Sequence, residues 1–165
     1  MKNKYLFLVT VAIPLIVLDQ ATKLIIVRTM ELHTSIPVIQ NFFDIVHARN
    51  QGAAFGILRD SSIRLPFLIS VSLLAVLVIV ALFHKLRPEQ KLSAWGLSLV
   101  LSGAVGNLID RVRFGEVVDF LSAHWHEHYW PAFNVADTAI CIGVGLLVID
   151  TILDEVRKKK GSFEC

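Results

Sequence analysis

Four long apolar stretches constrain this sequence more than any other feature. They cover residues 5–27, 65–83, 92–111 and 132–153. A helix of about 20 mostly apolar residues crosses the roughly 30 Å hydrocarbon core of a bilayer. With 55% apolar residues in 165, the chain is also too hydrophobic for a water-soluble domain of its length. The sequence therefore predicts an all-α polytopic membrane protein, a single domain over 1–165 with four transmembrane helices.

The basic residues lie mainly in alternate connecting segments. Nine of the 16 Lys and Arg precede the first stretch, separate the second from the third, or follow the fourth: Lys2, Lys4, Lys85, Arg87, Lys91, Arg157, Lys158, Lys159 and Lys160. Since Lys and Arg accumulate on the cytoplasmic side, we expect both termini in the cytoplasm. Residues 28–64 and 112–131 are then extracytoplasmic. Short apolar pairs within 36–50 predict strands or an interfacial element in the first of these segments.

The start of the chain also fits a cleavable signal peptide, because Lys2 and Lys4 precede an apolar run. Apolar character resumes after Lys23, however, and no small-residue cleavage site closes the run. We therefore expect the first helix to be retained.

Charged residues inside apolar stretches are the first candidates for function, since each costs at least about 2.5–3.5 kcal/mol near the bilayer centre. Asp19 and Lys23 lie four residues apart in the first stretch, on one helix face and in the favourable order. They fit a structural ion pair and a site-supporting role equally. The second stretch carries no charge and is typical of a packing helix.

A second polar group lies at the end of the third stretch. Gly103 permits close helix contact, whereas Asn107 and Arg111 are four residues apart and face the same way. Asp110 lies beside them. Asp119 follows between apolar neighbours, which predicts a partly dehydrated carboxylate.

The fourth stretch opens on Asn134 and Asp137. This spacing is typical of a helix start, with Asn as N-cap and an acid in the first turn. Capping alone would leave Asp119, Asn107 and Arg111 unexplained. Because the third helix leaves the membrane where the fourth enters, Asp119 and Asp137 are expected at the same membrane face.

Two carboxylates within hydrogen-bond range cannot both ionise cheaply, so one keeps a proton and the other becomes a base. Such a pair can activate water and polarise a scissile carbonyl without a metal or a cofactor. A first-turn Asp137 would be favoured in its ionised form by the helix dipole, which leaves Asp119 as the proton holder. Nucleophilic catalysis is less well supported, because Cys141 has no histidine in its stretch and Asp19 would keep Lys23 charged.

Three other readings stay open. Intramembrane acids also mark ion paths, although the inner half of the predicted bundle lacks a relay, and a non-catalytic interaction protein would leave the polar cluster unexplained. A zinc site is suggested by alternating histidines, which would share one side of a strand: His124, His126 and His128. We expect these histidines to be solvated, beside aromatic anchors at the membrane interface: Trp125, Tyr129 and Trp130.

Five motifs resemble one known family. They occur in this order: DQATK from Asp19, NQGAAF from Asn50, GAVGNLIDR from Gly103, VVDF from Val117 and FNVAD from Phe133. In these residues the chain resembles the lipoprotein signal peptidases, also called signal peptidase II, which are aspartic peptidases of the bacterial inner membrane. The resemblance covers nearly the whole chain.

The resemblance implies that Asp119 and Asp137 are the catalytic dyad. It implies site-ordering or substrate-binding roles for a further set: Asp19, Lys23, Asn50, Gly52, Ala53, Gly103, Asn107, Asp110, Arg111 and Asn134. The implied substrates are prolipoproteins that carry diacylglycerol on a cysteine and are cleaved just before it. It also implies contact with membrane lipids, inhibition by the cyclic peptide globomycin, a small extracytoplasmic β-cradle over 36–55, and an active site at the extracytoplasmic face. No metal, cofactor or nucleic acid is expected.

Overall fold

The computed structural model describes residues 3–52 and 63–163, without the side chains from 160 onward. Its helices are α1 (Lys4–Thr29), α2 (Arg64–Lys85), α3 (Lys91–Phe114) and α4 (Val135–Phe163). All four are long and apolar enough to cross a membrane. The predicted four-helix membrane fold is confirmed.

The boundaries of α4 differ from the predicted stretch 132–153. The helix starts at Val135 because Phe133 instead bridges to Leu121 in an adjacent strand. It continues to Phe163, since polar residues can extend a helix beyond the apolar segment that composition detects.

Helix α3 is the centre of the bundle and packs against α1, α2 and α4. Its contact with α4 is close enough to require glycine. A Cβ added at Gly103 would lie 2.2 Å from the carbonyl oxygen of Ala136, and one at Gly96 would lie 2.9 Å from that of Gly143. The small residues of α3 therefore bring the start of α4 directly against the third helix.

The strands form one antiparallel sheet in the order β1-β2-β3-β4. They are β1 (Ser35–Ile39), β2 (Phe43–Asn50), β3 (Val117–Trp125) and β4 (His128–Tyr129). The predicted small β element is confirmed, and β3 and β4 extend it beyond the segment where strands were expected. The sheet lies at the end of the bundle where α1 and α3 finish and where α2 and α4 start. We call this end of the bundle the sheet end.

Local geometry places β3 directly after α3. Gly115 ends the helix in the left-handed conformation, with φ of 74°, which costs glycine little. Val118 and Phe120 of β3 are buried against Ile26 of α1. Asp119 lies between them, opposite Ala48 of β2. The sheet is thus fixed to the bundle at the residues that flank Asp119.

The prediction that three histidines share one side of a strand is wrong. His126 has a φ of 53° and reverses the chain, so that His124 of β3 pairs with Tyr129 of β4. The ring of His124 stacks on Tyr129 with centroids 4.5 Å apart, and its Nε2 is 3.3 Å from Asp44. Within 3–52 and 63–163, no group of three His, Cys, Asp or Glu is placed to hold a metal ion.

Candidate active site

Asp137 lies in the first turn of α4, as the spacing predicts. Its backbone N–H donates to Asn134 Oδ1 at 2.9 Å, and the backbone N–H of Asn134 donates to Asp137 Oδ2 at 3.3 Å. This reciprocal arrangement is a capping box. Asn134 is completely buried, so the turn that carries Asp137 is held firmly.

Asp119 is 2% exposed, which confirms the expected dehydration. Both carboxylate oxygens accept hydrogen bonds, Oδ1 from Asn134 Nδ2 at 2.7 Å and Oδ2 from Asn50 Nδ2 at 2.9 Å. Burial raises the pKa of Asp119 from 3.8 to about 6. The hydrogen bonds from Asn50 and Asn134 oppose this rise in the pKa, whereas the negative charge of Asp137 adds to it.

Asn107 connects Asp137 to Asn134. Its Nδ2 donates to Asp137 Oδ1 at 2.7 Å, and its Oδ1 lies 3.3 Å from Asn134 Nδ2. Since Asn134 also contacts Asp119, two amides link the two carboxylates. Asp119 and Asp137, remote in sequence, therefore share one hydrogen-bond network at the sheet end.

Each of the three amides has its orientation fixed by a group that can only donate. Asn50 Oδ1 accepts from the backbone N–H of Gly52 at 2.8 Å, and Asn107 Oδ1 accepts from Lys23 Nζ at 3.1 Å. Asn134 Oδ1 accepts from the backbone N–H of Asp137. The NH₂ group of each amide must then face a carboxylate.

Asp19, Lys23 and Asp110 form a buried ionic cluster. Lys23 Nζ lies 2.8 Å from Asp19 Oδ2 and 2.9 Å from Asp110 Oδ2. None of the three residues is more than 2% exposed. The ion pair that the spacing predicts is confirmed, and the same ammonium group also reaches Asn107.

Sequence reasoning missed Gln20 and Ser72. Gln20 Nε2 donates to Asp110 Oδ1 at 2.9 Å and to the carbonyl oxygen of Gly106 at 3.1 Å. Ser72 Oγ accepts from Arg111 Nη1 at 3.2 Å, so the supposed packing helix α2 reaches the polar cluster. A neutral amide inside an apolar stretch was the one available signal for Gln20. A lone serine gives no comparable signal.

The remaining predicted residues lie as follows. The guanidinium group of Arg111 interacts electrostatically with Asp137, Asp110 and Asp119. Gly52, with φ of 72°, orients Asn50, and Gly103 contacts α4 below Asp137. Ala53 lies outside the described residues. All the other predicted site residues lie in or next to the hydrogen-bond network of Asp119 and Asp137.

A cleft of about 590 Å³ lies beside Asp119 and Asn50. Its lining includes Asn50 and Gln51 at the end of β2, Asp119 of β3, and Ala132 just before α4. Gln51 Nε2 donates to Glu116 at 2.9 Å and so holds the end of β2 next to the start of β3. A buried carboxylate thus borders a space large enough for part of a polypeptide.

Comparison with known proteins gives a consistent result. A family model for signal peptidase (SPase) II matches residues 11–153. The lipoprotein signal peptidase of Geobacter sulfurreducens is 56% identical over 158 residues, 96% of this chain and 99% of that protein. The one from Geobacter metallireducens is 54% identical over 161 residues, 97% of this chain and 99% of that protein.

Two solved structures have a similar fold. A bacterial membrane enzyme is similar with a TM-score of 0.82 and 36% identity, over 92% of this chain and 91% of that one. A second bacterial membrane enzyme structure has a TM-score of 0.79 at the same 36% identity, over 87% and 90% of the two chains. By sequence along most of its length, the chain belongs to the signal peptidase II family.

Proposed function

We propose that this protein is a lipoprotein signal peptidase in which Asp119 and Asp137 form an aspartic catalytic dyad. One observation carries the proposal. The two carboxylates, from β3 and from α4, are joined through Asn107 and Asn134 in a buried network, and Asp119 borders a cleft. Only donor groups orient the amides around them, so the site is built to hold negative charge.

In the proposed mechanism, the dyad works with one proton. Asp137 Oδ2 accepts a hydrogen bond from the backbone N–H of Asn134 at the start of α4. Because the helix dipole favours an ionised carboxylate at this position, Asp137 acts as the base. Burial raises the pKa of Asp119 to about 6, which favours Asp119 as the proton holder. Because coupled carboxylates titrate as a unit, the two apparent pKa values belong to the pair.

The reaction then follows from these two roles. Asp137 takes a proton from a water molecule, whose oxygen attacks the scissile carbonyl carbon. Asp119 donates a hydrogen bond to the carbonyl oxygen, on which negative charge develops. Collapse of the tetrahedral intermediate breaks the C–N bond, and the leaving nitrogen receives a proton from the dyad.

The proposed substrates are prolipoproteins with a diacylglyceryl-modified cysteine, cleaved immediately before that cysteine. The names of the relatives support this class. The dyad lies at the sheet end, where α3 leads into β3 and where α4 begins after β4. A helical signal peptide and a lipid-bearing residue can therefore both reach it through the bilayer. The distribution of Lys and Arg supports an inner-membrane orientation with the sheet end extracytoplasmic, and we propose globomycin as an inhibitor.

Single replacements of the dyad test this function. Asp119→Asn and Asp137→Asn should each abolish cleavage of a lipidated precursor in reconstituted vesicles, while the protein still inserts and folds. Asp150→Asn is the matched control, because this carboxylate contacts Ser93 in the inner part of the bundle. Substantial cleavage by both dyad variants, or equal cleavage of an unlipidated precursor, would contradict the proposal. Ion flux without cleavage would favour a carrier.

A further inference from the structure

A second cleft, of about 410 Å³, lies on the sheet. It shares His33, Ala48 and Ala132 with the cleft that borders Asp119, so the two spaces are continuous. Its described lining residues belong to the strands and to the segments that flank them, and none of them belongs to a helix. The second cleft therefore leads from Asp119 away from the helix bundle.

An irregularity of β2 brings His47 into this second cleft. Between Ile45 and Ala48 the register of β2 with β3 shifts, so that two residues of β2 face one residue of β3. A bulge of this kind changes the direction of a side chain relative to regular alternation. His47 lies in the bulge, is 5% exposed and lines the second cleft.

Among the described residues, only one ring nitrogen of His47 has a partner. Nδ1 lies 2.9 Å from the carbonyl oxygen of Met30, and because a carbonyl oxygen only accepts, Nδ1 carries a proton. When the ring is neutral, Nε2 is then an acceptor. Nε2 is buried, and no group within 3–52 and 63–163 bonds to it. A buried polar atom without a partner costs free energy, and in folded proteins such atoms usually have one.

The lining of the second cleft suits a hydrated polypeptide. Polar side chains and two exposed aromatic rings contribute to it: Thr34, Ser35, Asp44, Ser122, Tyr129 and Trp130. An acyl chain in this space would take water from the polar groups without replacing its hydrogen bonds. An extended peptide instead offers a backbone N–H at nearly every residue and apolar surface for the rings.

We propose that the second cleft binds the first residues of the mature lipoprotein, and that His47 Nε2 accepts a hydrogen bond from a backbone N–H of this segment. This inference rests on the proposed function and deepens it. The signal peptide precedes the scissile bond and lies in the bilayer. The segment that follows the modified cysteine must leave on the other side of the dyad, where the second cleft continues across the sheet.

The sheet also indicates which part of the mature chain reaches His47. Ala48 of β2 pairs with Asp119 of β3, and His47 is the next residue along β2. Adjacent strands lie about 4.8 Å apart, and an extended chain advances about 3.4 Å per residue. The N–H that bonds Nε2 therefore belongs to one of about the first three residues after the cysteine.

Two substitutions of His47 separate its ring nitrogens. In His47→Asn, the amide takes the position of Nδ1 and can still donate to Met30, but nothing replaces Nε2. In His47→Gln, the longer side chain places its amide near the position of Nε2. His128→Asn is the control, because His128 is an exposed histidine of β4 that is not among the residues lining either cleft.

The assay compares two lipidated precursors with the same signal peptide and modified cysteine. One ends at the cysteine as an amide, and the other continues for about six residues. His47→Asn should raise KM for the longer precursor by about 10-fold, as expected for one lost hydrogen bond. It should leave kcat and the KM for the shorter precursor unchanged, because a contact remote from the reacting atoms binds ground state and transition state equally. His47→Gln and His128→Asn should keep the wild-type KM for both precursors.

A second pair of variants tests the cleft without a change in the buried ring. Ser35 and Ile36 are neighbouring exposed residues of β1, and of the two only Ser35 lines the second cleft. Ser35→Trp should obstruct the cleft and raise KM for the longer precursor alone. Ile36→Trp should change neither KM. This pair decides the matter if His47→Asn does not fold.

N-methylation of the longer precursor locates the donor. One of the first three peptide nitrogens after the cysteine should raise the wild-type KM when it is methylated, and the same methyl group should have no further effect on His47→Asn.

A folded His47→Asn enzyme with the wild-type KM for the longer precursor would overturn the inference, because Nε2 would then bond only water. An equal rise of KM for both precursors would also overturn it, since that result fits a merely structural role. The proposed function fails separately, if the wild-type enzyme cleaves neither lipidated precursor.

Discussion

Replacing Asn50 with Leu should move the alkaline limb of the pH profile of cleavage to higher pH. Asn50 Nδ2 donates to Asp119 Oδ2 at 2.9 Å and favours the ionised carboxylate. A hydrogen bond to a charged group contributes about 1.5–3 kcal/mol, and one pKa unit corresponds to about 1.36 kcal/mol. Losing the bond should therefore raise the pKa of Asp119 by about 1–2 units, from about 6 to between about 7 and 8.

The sign follows from the proposed role of Asp119 as proton holder. Activity falls on the alkaline side when Asp119 loses its proton, so a higher pKa keeps the enzyme active to higher pH. The measurement is kcat/KM for a lipidated precursor from about pH 4 to about pH 10, where the limbs report ionisations of the free enzyme. Gln51→Leu is the control, because Gln51 bonds Glu116 rather than the dyad, and its alkaline limb should not move.

An alkaline limb that stays in place in Asn50→Leu, or that moves to lower pH, would refute this reasoning. In the first case Asn50 would not bond the ionised form of Asp119. In the second case the alkaline limb would belong to another group.

Three further predictions concern stability and cofactors. Gly103→Ala should destabilise the protein by about 1–3 kcal/mol, because the new Cβ would meet the carbonyl of Ala136 at 2.2 Å, whereas Gly145→Ala has no atom within 4 Å and should not destabilise it; thermal unfolding in detergent compares the two. A strong chelator should leave cleavage unchanged if the dyad works without a metal, and lost activity restored by zinc would contradict this. Because the pKa of Asp119 rises from 3.8 to about 6 on folding, the folded protein binds the extra proton. This stabilisation is present below about pH 4 and lost as the pH rises past about 6, a change of about 3 kcal/mol that Asp119→Asn should remove from unfolding measured against pH.

The membrane fold could be predicted from the sequence because a bilayer leaves few choices. Any stretch of about 20 apolar residues must satisfy its backbone internally, as a helix does. The pair Asp19 and Lys23 was predictable for a related reason, since four residues of spacing fix their contact within one helix. Asn134 before Asp137 likewise has a local capping signal.

Contacts between distant segments were not predictable in this way. Asn50 lies 69 residues from Asp119, and only the resemblance to a family indicated its place near the dyad. Gln20 and Ser72 are neutral and solitary, so neither periodicity nor charge marks their partners. The reversal at His126 depends on a positive φ in a residue other than glycine, which composition does not indicate. The zinc interpretation arose because this reversal was not foreseen.

The position of Lys23 one turn after Asp19 has a consequence for how the protein is made. A single charge entering the hydrocarbon costs at least about 2.5–3.5 kcal/mol, but the first helix carries acid and counter-ion 2.8 Å apart and can insert as a neutral unit. Asp110 follows with the third helix, when the ammonium group already lies in the bilayer to receive it. The order of the helices along the chain therefore lowers the free-energy cost of inserting Asp110, because its counter-ion enters the bilayer first.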